Sequence, residues 1–367
     1  MKPTLALHRL GQSIWLDDIT RTLLTSGTLV RYIADFSVTG LTSNPTIFEQ
    51  AIGNGESYDA SIRVLDAAGL AGEELFFELA LEDLTEAADL FRPIWDATGG
   101  SDGWVSLEVS PLLAENTLHT IQAANRLCRK AERANLMIKV PGTPEGICAV
   151  EELIFDGIPV NVTLLFSRDH YLAAAEAYMH GLERRVAAGR DPKGASVASI
   201  FVSRWDVGVK QEVASPLHNR LGIAMAMRTY KSYCALLASE RWKRLAAAGA
   251  QPQRLLWAST GTKDPSAPDT LYVQALAASG TINTMPQKTL IAFADHGKLE
   301  QALPPDGGYA EVLIEEFWRE GVDDSALASR LQREGLESFR RSWNALLAKV
   351  QEKCAPQSAA PCPADLS

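Results

Sequence analysis

Eight short apolar runs, each separated from the next by a stretch patterned for helix, constrain this chain more than anything else in its sequence. They fall at 13–17, 38–42, 104–109, 136–140, 158–163, 197–202, 255–259 and 281–285. Alternation of strand and helix calls for a parallel sheet, because each crossover returns the chain to the same end before the next strand begins. Eight such units in roughly 270 residues fit an α/β fold of the closed (β/α)8 TIM-barrel type, usually about 250 residues long, better than an open doubly wound sheet. No Gly-x-Gly-x-x-Gly follows the first run, which weighs against a dinucleotide-binding sheet.

Helix signals fill the intervals. Thr143-Pro144-Glu145 supplies an N-cap, a proline at the first helical position and an early acid, followed by Ile147, Val150, Leu153 and Ile154 at helical spacing. The second and third runs are some sixty residues apart, too far for bare loop, and the segment 46–95 is rich in helix formers, so a helical insertion is expected there. Beyond the eighth run, Leu336, Phe339, Trp343, Leu346, Leu347 and Val350 form an apolar stripe that predicts a terminal helix packed back on the barrel. Residues 354–367 are rich in Pro, Ala and Ser and read as a disordered tail, leaving 1–353 as one barrel domain with helical additions.

Composition narrows the function. The 367 residues are 46% hydrophobic and 22% charged, with a net charge of −10, so a broad basic surface for nucleic acid or anionic lipid is not expected. The amino terminus lacks the apolar core of a signal peptide, and no apolar stretch is long enough to cross a bilayer, which predicts a soluble cytoplasmic protein. Five cysteines at irregular spacing read as reduced thiols, and six scattered histidines give no metal-ligand pair, so no metal is expected.

The chemistry begins with a lysine inside a strand, Leu136-Met137-Ile138-Lys139-Val140, stopped by Pro141-Gly142. A buried amine loses hydration, which lowers its pKa and frees the lone pair that attacks a carbonyl to form a Schiff base. The alternative is a lysine whose stem lies along the sheet while its head reaches water. Barrel enzymes carry their chemistry at the carboxyl ends of the strands, where this sequence repeatedly places polar residues. Asp17 closes the first run, Asn44 follows the second, Glu108 lies in the third, Asn161 and Thr163 in the fifth, Ser199 in the sixth and Ser259 in the seventh. Each alone reads as a cap, a turn residue or a solvated side chain. Together they supply what a Schiff-base enzyme needs: an amine, a proton shuttle, a second base, and neutral groups for sugar hydroxyls.

In the segments Ser13-Ile14-Trp15-Leu16-Asp17-Asp18, Gly40-Leu41-Thr42-Ser43-Asn44-Pro45-Thr46-Ile47, Ser106-Leu107-Glu108-Val109, Ile138-Lys139-Val140-Pro141, Asn161-Val162-Thr163-Leu164-Leu165-Phe166-Ser167 and Ser199-Ile200-Phe201-Val202-Ser203-Arg204, the chain resembles the longer bacterial form of the transaldolase family. The resemblance implies transfer of a dihydroxyacetone unit between sugar phosphates in the non-oxidative pentose phosphate pathway, without a cofactor; the sequence leaves monomer and homodimer both open. It implies that Lys139 attacks the ketone, that Glu108 shuttles protons through a water held by Thr163, and that Asp17 takes the C4 hydroxyl proton. Asn44, Asn161 and Ser199 would hold hydroxyls and the retained enamine, and Arg204 would bind phosphate. The second phosphate arginine of shorter members is absent; the sequence Ser259-Thr260-Gly261-Thr262-Lys263 suggests Ser259 and Lys263 in its place, with Lys263 equally readable as an exposed loop charge. Asp17 and Asp18 are adjacent, and the strand period sends only one of them into the barrel.

Other functions stay in view. A sibling aldolase that releases free dihydroxyacetone has glutamine in place of Glu108 and tyrosine in place of Phe201, so both positions favour the transferase. A non-catalytic sugar-phosphate binder has little use for three costly buried charges. A nicotinamide-dependent reductase would need a tyrosine acid and a cofactor phosphate loop, which the sequence does not offer.

Overall fold

Runs of β-branched and aliphatic residues need both faces covered, and a closed barrel provides this with helices outside and side chains inside. The computed structural model describes residues 2–354. Its strands are β1 (Ser13–Asp17), β2 (Val38–Thr42), β3 (Val105–Glu108), β4 (Leu136–Pro141), β5 (Val160–Leu165), β6 (Ser196–Phe201), β7 (Arg254–Ala258) and β8 (Ile282–Met285). All pair in parallel in sequence order, and β1 closes on β8 to form the (β/α)8 barrel. The eight expected strands are present, with ends shifted by a residue or two. β5 starts late because Pro159 has no N–H for the ladder and contributes only its carbonyl, to Ile138 N at 2.9 Å.

Side chains alternate between two cores. Ile14, Leu16, Ile138, Val140, Val160 and Val162 face the helices, whereas Trp15, Met137, Val197, Leu256 and Ile282 fill the barrel interior. Two residues further along, the inward positions turn polar: Asp17 follows Trp15, Lys139 follows Met137, Ser199 follows Val197, and Thr284 follows Ile282. The barrel is thus plugged at its amino end and hollow at its carboxyl end. The plug is tied by Asp102, which accepts hydrogen bonds from Trp15 Nε1 at 2.8 Å and from Ser13 Oγ, while Arg254 Nη2 donates to Ser13 Oγ at 2.7 Å.

The insertion after β2 forms helices Pro45–Gly53, Asp59–Ala67 and Gly72–Ala97. Its first helix starts at Asn44, whose Oδ1 accepts from Ile47 N at 3.1 Å, with Pro45 at the first helical position. Buried Asp83 joins the insertion to the segment after β1 by accepting from Tyr58 Oη at 2.6 Å and Arg21 Nε at 2.9 Å. The Thr143 cap is present as expected, its Oγ1 accepting from Gly146 N at 3.1 Å.

The apolar stripe belongs to a 31-residue helix, Asp324–Cys354, preceded by helix Ala310–Arg319. The long helix runs across the carboxyl ends of the strands. Gln332 Nε2 donates to the carbonyls of Gly142 and Leu164, both at 2.9 Å, and Ser342 Oγ lies 2.8 Å from Thr46 Oγ1. Ion pairs Lys349–Glu49 and Lys353–Asp59 fasten its far end to the insertion. The tail expected over 354–367 lies, apart from Cys354, outside the described residues. Among the described residues, no helix is long and apolar enough to cross a membrane.

Gly40 on β2 faces Trp15, and a Cβ there would stand 2.5 Å from Trp15 Nε1 in a fully buried layer. Gly40→Ala is expected to destabilise the barrel by about 2 kcal/mol, the usual cost of overpacking, as a lowered urea midpoint at unchanged slope.

Candidate active site

The polar upper layer of the barrel opens into a cavity of about 130 Å³. Asp17, Asn44, Lys139, Thr163, Ser199, Phe201, Arg204, Ser259 and Lys263 line it. Glu108 and Asn161, also expected at the site, flank Lys139 on the neighbouring strands and are not among the lining residues.

Parallel register sets the central pair. Glu108 on β3 stands opposite Lys139 on β4, and Lys139 opposite Asn161 on β5. The Lys139 side chain rises from the floor, with the residue only 4% exposed, so its head does not escape to water. Its Nζ donates to the Ser43 carbonyl at 3.1 Å and lies 3.2 Å from Glu108 Oε2. Glu108 is 3% exposed, and neither carboxylate oxygen receives a well-formed hydrogen bond. Burial pushes its pKa above the ordinary carboxylate range, with the Lys139 ammonium pulling the other way. Thr163 Oγ1 is likewise buried without a partner. Unsatisfied polar groups beside a buried charge pair are costly in a structural core and point to a site that receives water or substrate.

The remaining groups are held in place. Asn161 is fully buried; its Nδ2 donates to Ser106 Oγ at 3.1 Å and its Oδ1 accepts from Ser199 Oγ at 2.7 Å. Thr42 Oγ1 donates to Asp17 Oδ1 at 3.0 Å and lies 2.9 Å from Thr284 Oγ1. Asp17 borders the cavity, while the adjacent Asp18 does not, as the strand alternation requires. Burial, and then the neighbouring Asp17 charge, push the Asp18 pKa up to about 6.

Arg204 is the cavity's half-buried cation. No carboxylate lies within ion-pair distance among the described residues, and desolvation pushes its pKa down. Its guanidinium carbon is 5.2 Å from the Phe201 ring centre and 6.0 Å from that of Phe339. A planar cation left without a counter-charge suits an oxyanion of the phosphate type. Ser259 adopts a left-handed backbone (φ 57°), unusual for a residue with a side chain, and its Oγ is 2.8 Å from Ser203 Oγ. Lys263 is exposed at the cavity edge. Its neighbour Asp264 pins the loop by accepting from Asn219 Nδ2 at 3.0 Å, Lys210 Nζ at 3.1 Å and Ser266 N at 3.0 Å.

Several residues of the cavity wall escaped the sequence reading, among them Thr42, Thr284 and Phe339. Thr42 and Thr284 belong to strands whose register was unknown, and Phe339 was visible only as part of an apolar stripe. The same helix carries Gly335 where alanine would be worth about 0.5–1 kcal/mol more in helix propensity. A Cβ at Gly335 would lie 2.9 Å from Leu164 Cδ2 and 3.1 Å from Arg204 Nη1, so the glycine makes room for the guanidinium.

A charge pair and an unpaired arginine at the open end of a (β/α)8 barrel meet a family model described as Transaldolase/Fructose-6-phosphate aldolase, which matches residues 14–350. The chain belongs to that family. It is 45% identical to a protein named Transaldolase from Parafrankia sp., over 96% of this chain and 98% of the relative. It is 44% identical to one of the same name from Thermobifida fusca, over 96% and 98%, and 43% identical to one from Thiobacillus denitrificans, over 95% and 100%. Among the described residues, no cluster of His, Cys, Asp or Glu could hold a metal ion.

The pKa of Asp18, beside the site, gives the fold a pH signature. In the unfolded chain this carboxyl loses its proton near pH 4, and in the folded chain near 6, so the folded state binds more protons in between. Stability therefore falls as pH rises through that window, by about 3 kcal/mol from this group, and levels off above it. Asp18→Asn should remove that portion of the slope, measured as urea unfolding free energy against pH; an unaltered slope would assign it to other carboxyls.

Proposed function

We propose that this chain is a transaldolase that moves a dihydroxyacetone unit from sedoheptulose 7-phosphate to glyceraldehyde 3-phosphate, giving erythrose 4-phosphate and fructose 6-phosphate, in the non-oxidative pentose phosphate pathway. The observation that carries this reading is the buried Lys139 amine, 3.2 Å from the Glu108 carboxylate under a polar cavity with an unpaired arginine. Passing a proton from the ammonium to Glu108 leaves both groups neutral, and burial favours that outcome for the carboxyl. The free amine then adds to the donor ketone. Glu108 returns protons through a water held by Thr163 as the carbinolamine loses its hydroxyl, which would also satisfy the orphaned oxygens of both residues. Asp17 takes the C4 hydroxyl proton as the C3–C4 bond breaks, with the iminium as electron sink.

Ser199 and Asn44 offer hydrogen bonds to sugar hydroxyls from the wall. Asn161 acts behind the wall, its Oδ1 fixing the Ser199 hydroxyl that faces the cavity. Arg204 binds the phosphate, completed by Ser259 and Lys263. Small sugar phosphates are the partners proposed, and the net charge of −10 disfavours nucleic acid. The unpaired thiols of Cys128, Cys148, Cys234 and Cys354 support a cytoplasmic setting. A fructose 6-phosphate aldolase is the second reading, disfavoured by Glu108 and Phe201, because a phenylalanine has no hydroxyl with which to protonate the enamine.

Borohydride reduction with fructose 6-phosphate and no acceptor tests the central step. A three-carbon adduct mapped to Lys139 is expected, and folded protein without an adduct there would remove the catalytic roles assigned above. Lys263→Ala is expected to raise KM for phosphorylated substrates about tenfold with a smaller change in kcat, as for loss of one charge-assisted contact. An unchanged KM would return Lys263 to the solvent.

A further inference from the structure

We propose that Phe339, on the terminal helix, keeps water from the enamine held on Lys139, so that the three-carbon unit waits for an aldehyde rather than leaving as free dihydroxyacetone. The inference rests on the Schiff-base reading above and adds a residue that determines reaction specificity.

Phe339 is 4% exposed, yet it borders the cavity instead of being packed on every side. Its ring centre lies 5.8 Å from Lys139 Nζ and 6.0 Å from Arg204 Cζ, at the outer limit of a cation–π contact, so covering the site matters more than attracting its charges. The cavity's polar lining includes Asp17, Thr42, Thr163 and Ser199, all able to hold water, whereas Phe201 and Phe339 are its aromatic walls. Phe201 rises from β6, while Phe339 reaches the site from the helix that crosses the strand ends. That helix has little freedom to lift, because Gln332 is bonded to two strand-end carbonyls, Ser342 meets Thr46, and Gly335 sits against Leu164 and Arg204.

The chemistry gives this wall a task. Once C3–C4 cleavage leaves an enamine on Nζ, water can donate a proton to C3 and convert the enamine to an iminium. A second water then adds at C2, the hydroxide left by the first takes the proton from the carbinolamine hydroxyl, the C2–N bond breaks, and the ketone departs while Nζ leaves as the neutral amine. The leak and productive transfer end in the same hydrolysis of an iminium at C2 and differ at C3, which takes a proton from water in the leak and bonds to the aldehyde carbon in transfer. Keeping proton-donating water from C3, while the water held by Thr163 still serves C2, therefore slows loss without slowing transfer.

The readout is the ratio of dihydroxyacetone released from fructose 6-phosphate without acceptor to the transfer rate with erythrose 4-phosphate, with folding checked by circular dichroism. Phe339→Ala is expected to raise this ratio about tenfold by admitting water, and Phe339→Leu to raise it less. Phe339→Met, similar in bulk but without a ring, should stay near the starting ratio. An unchanged ratio in folded Phe339→Leu or Phe339→Ala would overturn the proposal, as would a Met variant leaking as fast as the Ala variant. Borohydride trapping on Lys139 in the unaltered protein separates the two readings: no adduct defeats the Schiff-base reading, and an adduct with an unchanged ratio defeats the role of Phe339 alone.

Discussion

The Lys139–Glu108 pair sits on neighbouring strands, both residues almost wholly buried, with an ammonium and a carboxylate 3.2 Å apart and no good hydrogen bond reaching the acid. Such a pair is costly to desolvate, and its mutual attraction offsets that cost only when the geometry is fixed. Parallel register between β3 and β4 fixes it, since a slip of one residue would turn one partner toward the outer helices. The rest of the site is arranged around this pair: Asn161 and Ser199 brace the adjoining strands, Thr42 orients Asp17, and Arg204 stands without a counter-ion among the described residues.

A layered interior makes this possible in a barrel of ordinary size. Trp15, Met137, Val197, Leu256 and Ile282 fill the lower part so fully that β2 carries glycine opposite the indole. Hydrophobic burial in that layer supports the fold, while the layer two residues higher is free to carry groups that would destabilise a core. The division of labour follows from strand geometry, in which one face repeats every second residue.

The long terminal helix adds what strands cannot. It lies over the strand ends, tied by Gln332, Ser342 and two lysine ion pairs, and it contributes Phe339 to the cavity and Gly335 beneath the guanidinium. One element thus borders the site and sets the space around the Arg204 guanidinium. The family contains both transferases and aldolases by its description, and a water-excluding wall is a physical basis on which the two outcomes can diverge.

Strand number, helical insertion and terminal helix were legible because each depends on local pattern: β-rich runs, caps such as Thr143 and Asn44, and an apolar stripe at helical spacing. Lys139, Glu108 and Asp17 were legible for a related reason, since a charge inside an apolar run stands out against its neighbours. The sequence by itself therefore determined the barrel, its layers and the chemical types at the strand ends. Tertiary structure decided which groups meet. It chose Asp17 over Asp18, buried Asn161 behind Ser199 instead of on the cavity wall, and brought Phe339 and Gly335 to Arg204 from more than 130 residues away. Periodicity records which face of a helix is buried, but what buries it depends on where the chain returns, and that is set by packing across the whole barrel.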